Sequence, residues 1–368
     1  MALSLNRHHS FSPRPGPVLV IVADGVGVAP SDPSNAVTEA YTPTLDGLAQ
    51  SKLYTELAAH GVAVGLPSDD DMGNSEVGHN AIGAGRIFDQ GAKLVNRALA
   101  DGSLYESAVW TDAIDRAKSA TLHLLGLHSD GNIHSHTDHL YQLLRQAAAS
   151  GVSRARLHIL HDGRDVPARS ALDYIAATEA VLAEINEAHN ADYRIASGGG
   201  RMTITMDRYE ADWDMVAKGY QCHAHGVGRP FASAIEAVET MYAESDAGDQ
   251  YLDEFVVVDD GINGDRPGQP VGAMADGDSV ILFNFRGDRS IEISRAFEEP
   301  DFVMFDRRSP SGADHPDVLY AGMLQYDGDL QVPKRYLVEP PAIDRTIGEY
   351  LCAEGVHSFA VSETQKFG

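Results

Sequence analysis

Two groups of residues in this chain have the types and spacing to do chemistry: a serine set up as a nucleophile and a set of arginines set up to hold anions. Ser75 lies in the stretch SDDDMGNSEVGHNAIGAG, residues 68–85. A serine hydroxyl is a weak nucleophile until a base, a metal or a helix N-terminus activates it. No neighbour reads as the partner of a Ser-His-Asp triad, and no G-x-S-x-G elbow surrounds it. Asn74 and the small residues that follow predict a helix beginning at Ser75, where a phosphate or alkoxide would be stabilised. The plainer alternative is that Ser75 only caps that helix. Asp24 closes an apolar run and precedes Gly25. A carboxylate there suits a hard metal cation, and equally suits the N-cap of a βα loop.

The arginines are Arg164, Arg201, Arg208, Arg286 and Arg289, each at or just after a predicted strand end or a glycine turn. Guanidinium groups bind phosphate and carboxylate in bidentate fashion, as a small phosphorylated acid would require. Any one of them could be a surface ion pair. Five in equivalent topological places point to one anion site. The histidines between His128 and His139 invite a metal reading, with solvent-facing helix positions as the alternative. We take His134 alone as a substrate contact or proton carrier. Two Asp-His pairs, Asp138-His139 and Asp314-His315, fall in a predicted helix and a proline-flanked loop, and neither is taken as a metal site. Neither a Walker A loop nor a G-x-G-x-x-G fingerprint is present, so nucleotide binding has no support.

These residues need elements that carry them to one edge. Residues 17–23 are an unbroken apolar run and predict a strand buried on both faces. Residues 62–66 predict a second. From residue 122 onward strands and helices alternate, with strands predicted at 122–127, 156–160, 193–197, 279–285, 318–323 and 358–362. Helices are predicted over 92–99, 105–118, 138–149, 170–187, 213–219, 232–242 and 343–351. Repeated strand ends carrying His, Asp and Arg are the expected layout of a site at one edge of a parallel sheet. The 368 residues suggest two domains. A net charge of −26, from 54 acidic against 28 basic residues, opposes nucleic acid and anionic membranes. Two distant cysteines imply no disulfide framework and fit a cytoplasmic setting.

The motifs VADGVG (Asp24), DDMGNSEVGHNAIGAGRIFDQG (Ser75), SDGNIHSH (His134), HDGRDVP (Arg164, Asp165), GGRMTITMDR (Arg201, Arg208), NFRGDR (Arg286, Arg289) and SETQKFG (Lys366) run in order along the chain. Together they resemble the cofactor-independent (2,3-bisphosphoglycerate-independent) phosphoglycerate mutases of the alkaline-phosphatase superfamily, in particular the plant and trypanosomatid type. The resemblance implies an α/β fold in which a parallel-sheet phosphatase domain is interrupted by an inserted α/β transferase domain. On that basis we expect a tail over 1–16, phosphatase segments over 17–89 and 336–368, and a transferase domain over 90–335. It implies Asp24 and Ser75 as ligands of manganese or magnesium, two ions in the whole site, and Ser75 as the nucleophile that becomes phosphoserine. It further implies His134, Arg164, Asp165, Arg201, Arg208, Arg286 and Arg289 around 2- or 3-phosphoglycerate. Asp165 would move protons at the glycerate hydroxyls, and Lys366 would neutralise charge beside the phosphoserine. No 2,3-bisphosphoglycerate and no macromolecular partner are expected, and a monomer is.

Two departures accompany the resemblance. An extra residue stands between Arg201 and Arg208 relative to many bacterial members. The family's further metal ligands, a D-x-x-x-H pair, a D-H pair and another histidine, belong to a segment following Lys366 that this sequence does not contain. The chain is therefore expected to be C-terminally truncated and, by itself, inactive. The competing readings are a metal-dependent phosphatase of the same superfamily and a substrate-binding fragment.

Overall fold

A computed structural model describes residues 3–12, 15–259, 268–341 and 343–362. The chain divides into two compact units, Met1–Phe88 with Ala342–Gly368, and Asp89–Pro341.

In the first unit the described elements are helical. They are α1 (Ala36–Glu39), α2 (Pro43–Ala49), a 3-10 turn (Gly61–Val64), α3 (Ser75–Ala84) and a later helix at Ile347–Ala353. Its buried apolar cluster is Val64, Leu66 and Val77. Three expected strands are corrected here. Residues 62–66 are mostly the 3-10 turn, and the runs 17–23 and 358–362 form no strand. Val18 is 92% exposed and Phe359 likewise 92%. An apolar run announces a need for burial, but a strand exists only by hydrogen-bonding to a neighbour. Among the described residues of this unit no strand is present to provide one.

The second unit begins with α4 (Gly91–Ala100), α5 (Ser103–Glu106) and α6 (Ala108–Ala117). The single helix expected over 105–118 is thus two, broken at Ser107, whose hydroxyl caps α6 at the Trp110 amide. There follow β1 (Leu122–His128), α7 (Thr137–Ala149), β2 (Arg154–His161), α8 (Ala171–His189), β3 (Asp192–Gly200) and α9 (Trp213–His225). The remainder is β4 (Arg229–Phe231), α10 (Ala234–Glu244), β5 (Phe255–Val257), β6 (Ser279–Leu282), α11 (Ile291–Glu298) and β7 (Leu319–Gly322). The seven strands form one sheet in the order β4-β5-β3-β2-β1-β6-β7. The five strands β3-β2-β1-β6-β7 run parallel, and β5, itself parallel to the edge strand β4, joins β3 antiparallel. The three-residue strands β4 and β5 and the helix α11 were not legible in the pattern, the strands being too short to show a period.

Side-chain alternation feeds two cores, one on each face. Leu122 and Leu124 of β1, with Leu157 and Ile159 of β2 and Ile281 of β6, pack under α4, α6, α7, α8 and α10. Leu125, Leu127, Leu160, Val280 and Leu282 pack under α9 and α11. Burial on both faces explains why these strands read as unbroken apolar runs. It also places every loop leaving the carboxyl end of β1, β2, β3 and β6 on one rim.

Candidate anion site and candidate nucleophile

On that rim of the second unit, the loops after β1, β2, β3 and β6 converge on Arg201. Its guanidinium is 2% exposed and reaches three partners at once. Nη1 donates to Asp162 Oδ1 at 2.7 Å and to Asp165 Oδ2 at 2.5 Å, and Nη2 donates to His134 Nε2 at 2.7 Å. Asp162 is the organiser of the β2 loop. Its Oδ1 also accepts the Arg164 and Asp165 amides, and its Oδ2 accepts the Ser129 hydroxyl at 2.6 Å. The intervening Gly163 has φ +63°, a left-handed turn that lets the chain fold back onto the Asp162 carboxylate. The His134 carbonyl accepts the Phe285 amide at 2.8 Å, tying the β1 loop to the segment after β6.

Because Arg201 donates to Nε2, the His134 imidazole carries its proton on Nδ1, which faces Asp288 Oδ1 at 3.6 Å. Burial first, then the positive charges of Arg201, Arg286, Arg289 and Arg164, push the His134 imidazole well below its ordinary pKa, so it is neutral. Arg286 Nε lies 3.1 Å from Asp288, and Arg208 Nη1 lies 3.8 Å from it. Arg289 is 7% exposed and donates from Nη1 to the Met206 carbonyl at 2.5 Å. Burial, and the like charges of Arg208, Arg201 and Arg164, bring its guanidinium down to about 10. Cations crowded until they depress one another's protonation form a site built for an anion. Arg164 makes no ion pair among the described residues.

The sequence-predicted residues His134, Arg164, Asp165, Arg201, Arg208, Arg286 and Arg289 thus share one rim. Three further residues work with them and were missed: Ser129, Asp162 and Asp288. Asp162 and Asp288 stand inside the motifs D-G-R-D and R-G-D-R, and an acid interleaved with arginines was the available signal. The other histidines of the β1 loop are employed elsewhere. His128 Nε2 meets Thr178 Oγ1 at 2.6 Å, the His136 ring caps α7, and His139 bonds Asn96 at 2.5 Å. His315 pairs with the Tyr220 hydroxyl.

In the first unit, Asn74 caps α3 by accepting the Val77 amide, which leaves Ser75 as the first helical residue. Its hydroxyl donates to Asp24 Oδ2 at 2.6 Å across 51 residues of sequence. His79, one turn on and not anticipated, places Nδ1 2.8 Å from the Ser75 carbonyl and 3.2 Å from its hydroxyl. This is not a Ser-His-Asp triad, because the carboxylate meets the serine itself. The carboxylate and hydroxyl oxygens suit a hard cation in kind. In number they do not, since no group of three His, Cys, Asp or Glu side chains that could hold a metal ion occurs among the described residues. Lys366 lies outside the described residues.

Comparison with known proteins gives these sites a family. A family model described as BPG-independent PGAM N-terminus matches residues 95–328. A probable 2,3-bisphosphoglycerate-independent phosphoglycerate mutase of Leptospira interrogans is 52% identical, covering 100% of this chain and 65% of that protein. The 2,3-bisphosphoglycerate-independent phosphoglycerate mutases of Trypanosoma brucei brucei and Zea mays are each 49% identical, with 65% and 63% of their lengths covered. A crystal structure of Leishmania mexicana phosphoglycerate mutase at low cobalt concentration matches with a TM-score of 0.84 at 46% identity. It covers 90% of this chain and 59% of that one. The chain therefore spans somewhat under two thirds of the length of these relatives, and it belongs to the family of 2,3-bisphosphoglycerate-independent phosphoglycerate mutases.

Proposed function

We propose that the whole protein interconverts 3-phosphoglycerate and 2-phosphoglycerate, with Ser75 taking the phosphoryl group and the second unit retaining the glycerate. Support comes above all from the arginine cluster around a neutral His134, which matches a ligand bearing both a phosphate and a carboxylate. A plain phosphatase has no need to hold the dephosphorylated acid, so this cluster favours a mutase.

In the proposed reaction the Ser75 oxygen forms a bond to phosphorus as the bond to the glycerate oxygen breaks, and the hydroxyl proton passes to the Asp24 carboxylate. Asp165, held as a carboxylate by Arg201, takes the proton of the neighbouring glycerate hydroxyl and passes it to the leaving glycerate oxygen, so that the phosphoryl returns to the oxygen that lost its proton. Positioning and neutralisation of phosphoryl oxygens dominate such a transfer. Manganese or magnesium would supply part of that neutralisation, with Asp24 and Ser75 among its ligands. The described donors are too few for two ions, so we propose that this 368-residue chain binds phosphoglycerate without turning it over. Localisation in the cytoplasm is proposed on the two free cysteines, Cys222 and Cys352.

Titration calorimetry of the chain with 3-phosphoglycerate tests the binding half. A measurable affinity, lost in Arg286→Ala, is expected, and no heat of binding at millimolar ligand would overturn it. Phosphorylation at Ser75 in a full-length version, detected by mass spectrometry and abolished by Ser75→Ala, tests the transfer half.

A further inference from the structure

The face of the sheet under α9 carries a buried polar chain that the proposed reaction does not use. Asp278 Oδ2 lies 3.2 Å from His123 Nε2, and His123 Nδ1 lies 2.9 Å from His158 Nε2. His158 Nδ1 is 2.7 Å from the Ser197 hydroxyl, which is 2.9 Å from His223 Nδ1. His223 Nε2 is 3.0 Å from the Thr205 hydroxyl. The path starts just before β6, crosses β1, β2 and β3, passes through α9 and ends beyond the carboxyl end of β3, between Arg201 and Arg208. All six side chains are buried.

One end dictates the direction of every hydrogen bond. Burial opposes the Asp278 charge, but bonds from His123 and from the Ala275 and Thr121 amides outweigh it and hold the carboxyl below its usual range. Asp278 can therefore only accept, so His123 must carry its proton on Nε2. All three histidines are kept neutral by burial, so each carries a single ring proton and accepts at its other nitrogen, which for His123 is Nδ1. His158 must donate from Nε2, Ser197 to His158, His223 from Nδ1 to Ser197, and Thr205 to His223.

Thr205 is the residue this direction acts on. It is β-branched yet has φ +69°, a left-handed conformation that costs energy and persists only when its surroundings impose it. Its hydroxyl sits in a slot closed by Gly219, where an added Cβ would lie 2.0 Å from Oγ1. The next residue, Met206, presents the carbonyl that holds Arg289. We propose that Asp278, through this one-way relay, is a positioning residue that pins the Thr205 turn and thereby the Arg289 guanidinium. The proposal rests on the function above only in naming phosphoglycerate as the anion served.

The test uses the full 368-residue chain, read by histidine ¹⁵N tautomer spectra, arginine side-chain NMR signals and calorimetry with 3-phosphoglycerate. The wild type is expected to show Nε2–H at His123 and His158 and Nδ1–H at His223. Ser197→Ala should release His223 from that tautomer, and Thr205→Val should leave the tautomers but cut the last link. Both should broaden the Arg289 signal and weaken 3-phosphoglycerate by about tenfold or more, the effect of one lost charge-assisted contact. Leu143→Ala, in the core on the opposite face, should lower the melting temperature and change neither readout. An opposite tautomer at any of the three histidines, or an unchanged Arg289 signal in both relay variants, overturns the proposal. Should the wild type fail to bind 3-phosphoglycerate, the functional reading falls, and the tautomers and the Arg289 signal still decide the relay.

Discussion

The two units of this chain contain comparable apolar runs and treat them in opposite ways. Residues 122–128 become a central strand flanked by β2 and β6 and covered on both faces, with Leu122 and Leu124 fully buried. Residues 18–22 are as apolar, yet Leu19 and Ile21 remain 79% and 78% exposed. The difference lies in the partners available, since backbone donors and acceptors must be matched by a neighbouring strand before side chains can pack. Chemistry follows the same division. In the second unit Arg201, Asp162 and Asp165 are fixed by mutual bonds inside the protein, whereas Asp24 in the first unit is exposed.

The sharpest measurement of that contrast is amide hydrogen exchange. Amides of β1 and β2 should exchange only through global unfolding, and residues 18–22 on the unprotected timescale, a difference of roughly 10⁴-fold or more. Comparable protection of both stretches would break the comparison.

Acid should act strongly on the second unit. Burial lowers His128, His139 and His223 to about 3 and His161 to about 4. The unfolded chain protonates these rings from about pH 6.5 downward, while the folded chain does not. The folded state then binds fewer protons, so stability is full above that pH and falls on acidification, by up to about 1.4 kcal/mol per pH unit for each ring. Urea midpoints that do not fall between neutral and acidic pH would show that these rings are not held neutral.

Arg201→Ala should follow, because it leaves Asp162 and Asp165 without their cation in a buried setting, a loss of about 3–5 kcal/mol. Phosphoglycerate binding should vanish with it, and calorimetry beside chemical denaturation reads both. Leu124→Ala should cost about 2–5 kcal/mol by leaving a cavity in the sheet core. Leu19→Ala, by contrast, should move stability by less than about 0.5 kcal/mol. Equal losses in the two leucine variants would mean that residues 18–22 are packed after all. Ser75→Ala should have the smallest effect on stability, since its bond joins an exposed carboxylate. Its consequence is expected in phosphoserine formation by a full-length version.

Much of this protein could be read before folding. The five parallel strands of the second unit announced themselves because burial on both faces demands unbroken apolar runs, and the strand-end arginines followed from the rule that such sheets bind ligands at their carboxyl rim. The helix start at Ser75 was legible from Asn74. Tertiary structure alone decided the rest. It brought Asp24 to Ser75 across 51 residues, joined Asp162, Asp165 and His134 on one guanidinium, and set Asp288 among arginines. It also left residues 18–22 unpaired despite their pattern, and aligned Asp278, three histidines and Thr205 into one chain of hydrogen bonds. Hydropathy and spacing record how one residue relates to its near neighbours along the chain. Pairing of strands, sharing of a proton and placement of a counter-ion depend on groups that meet only after the chain has folded.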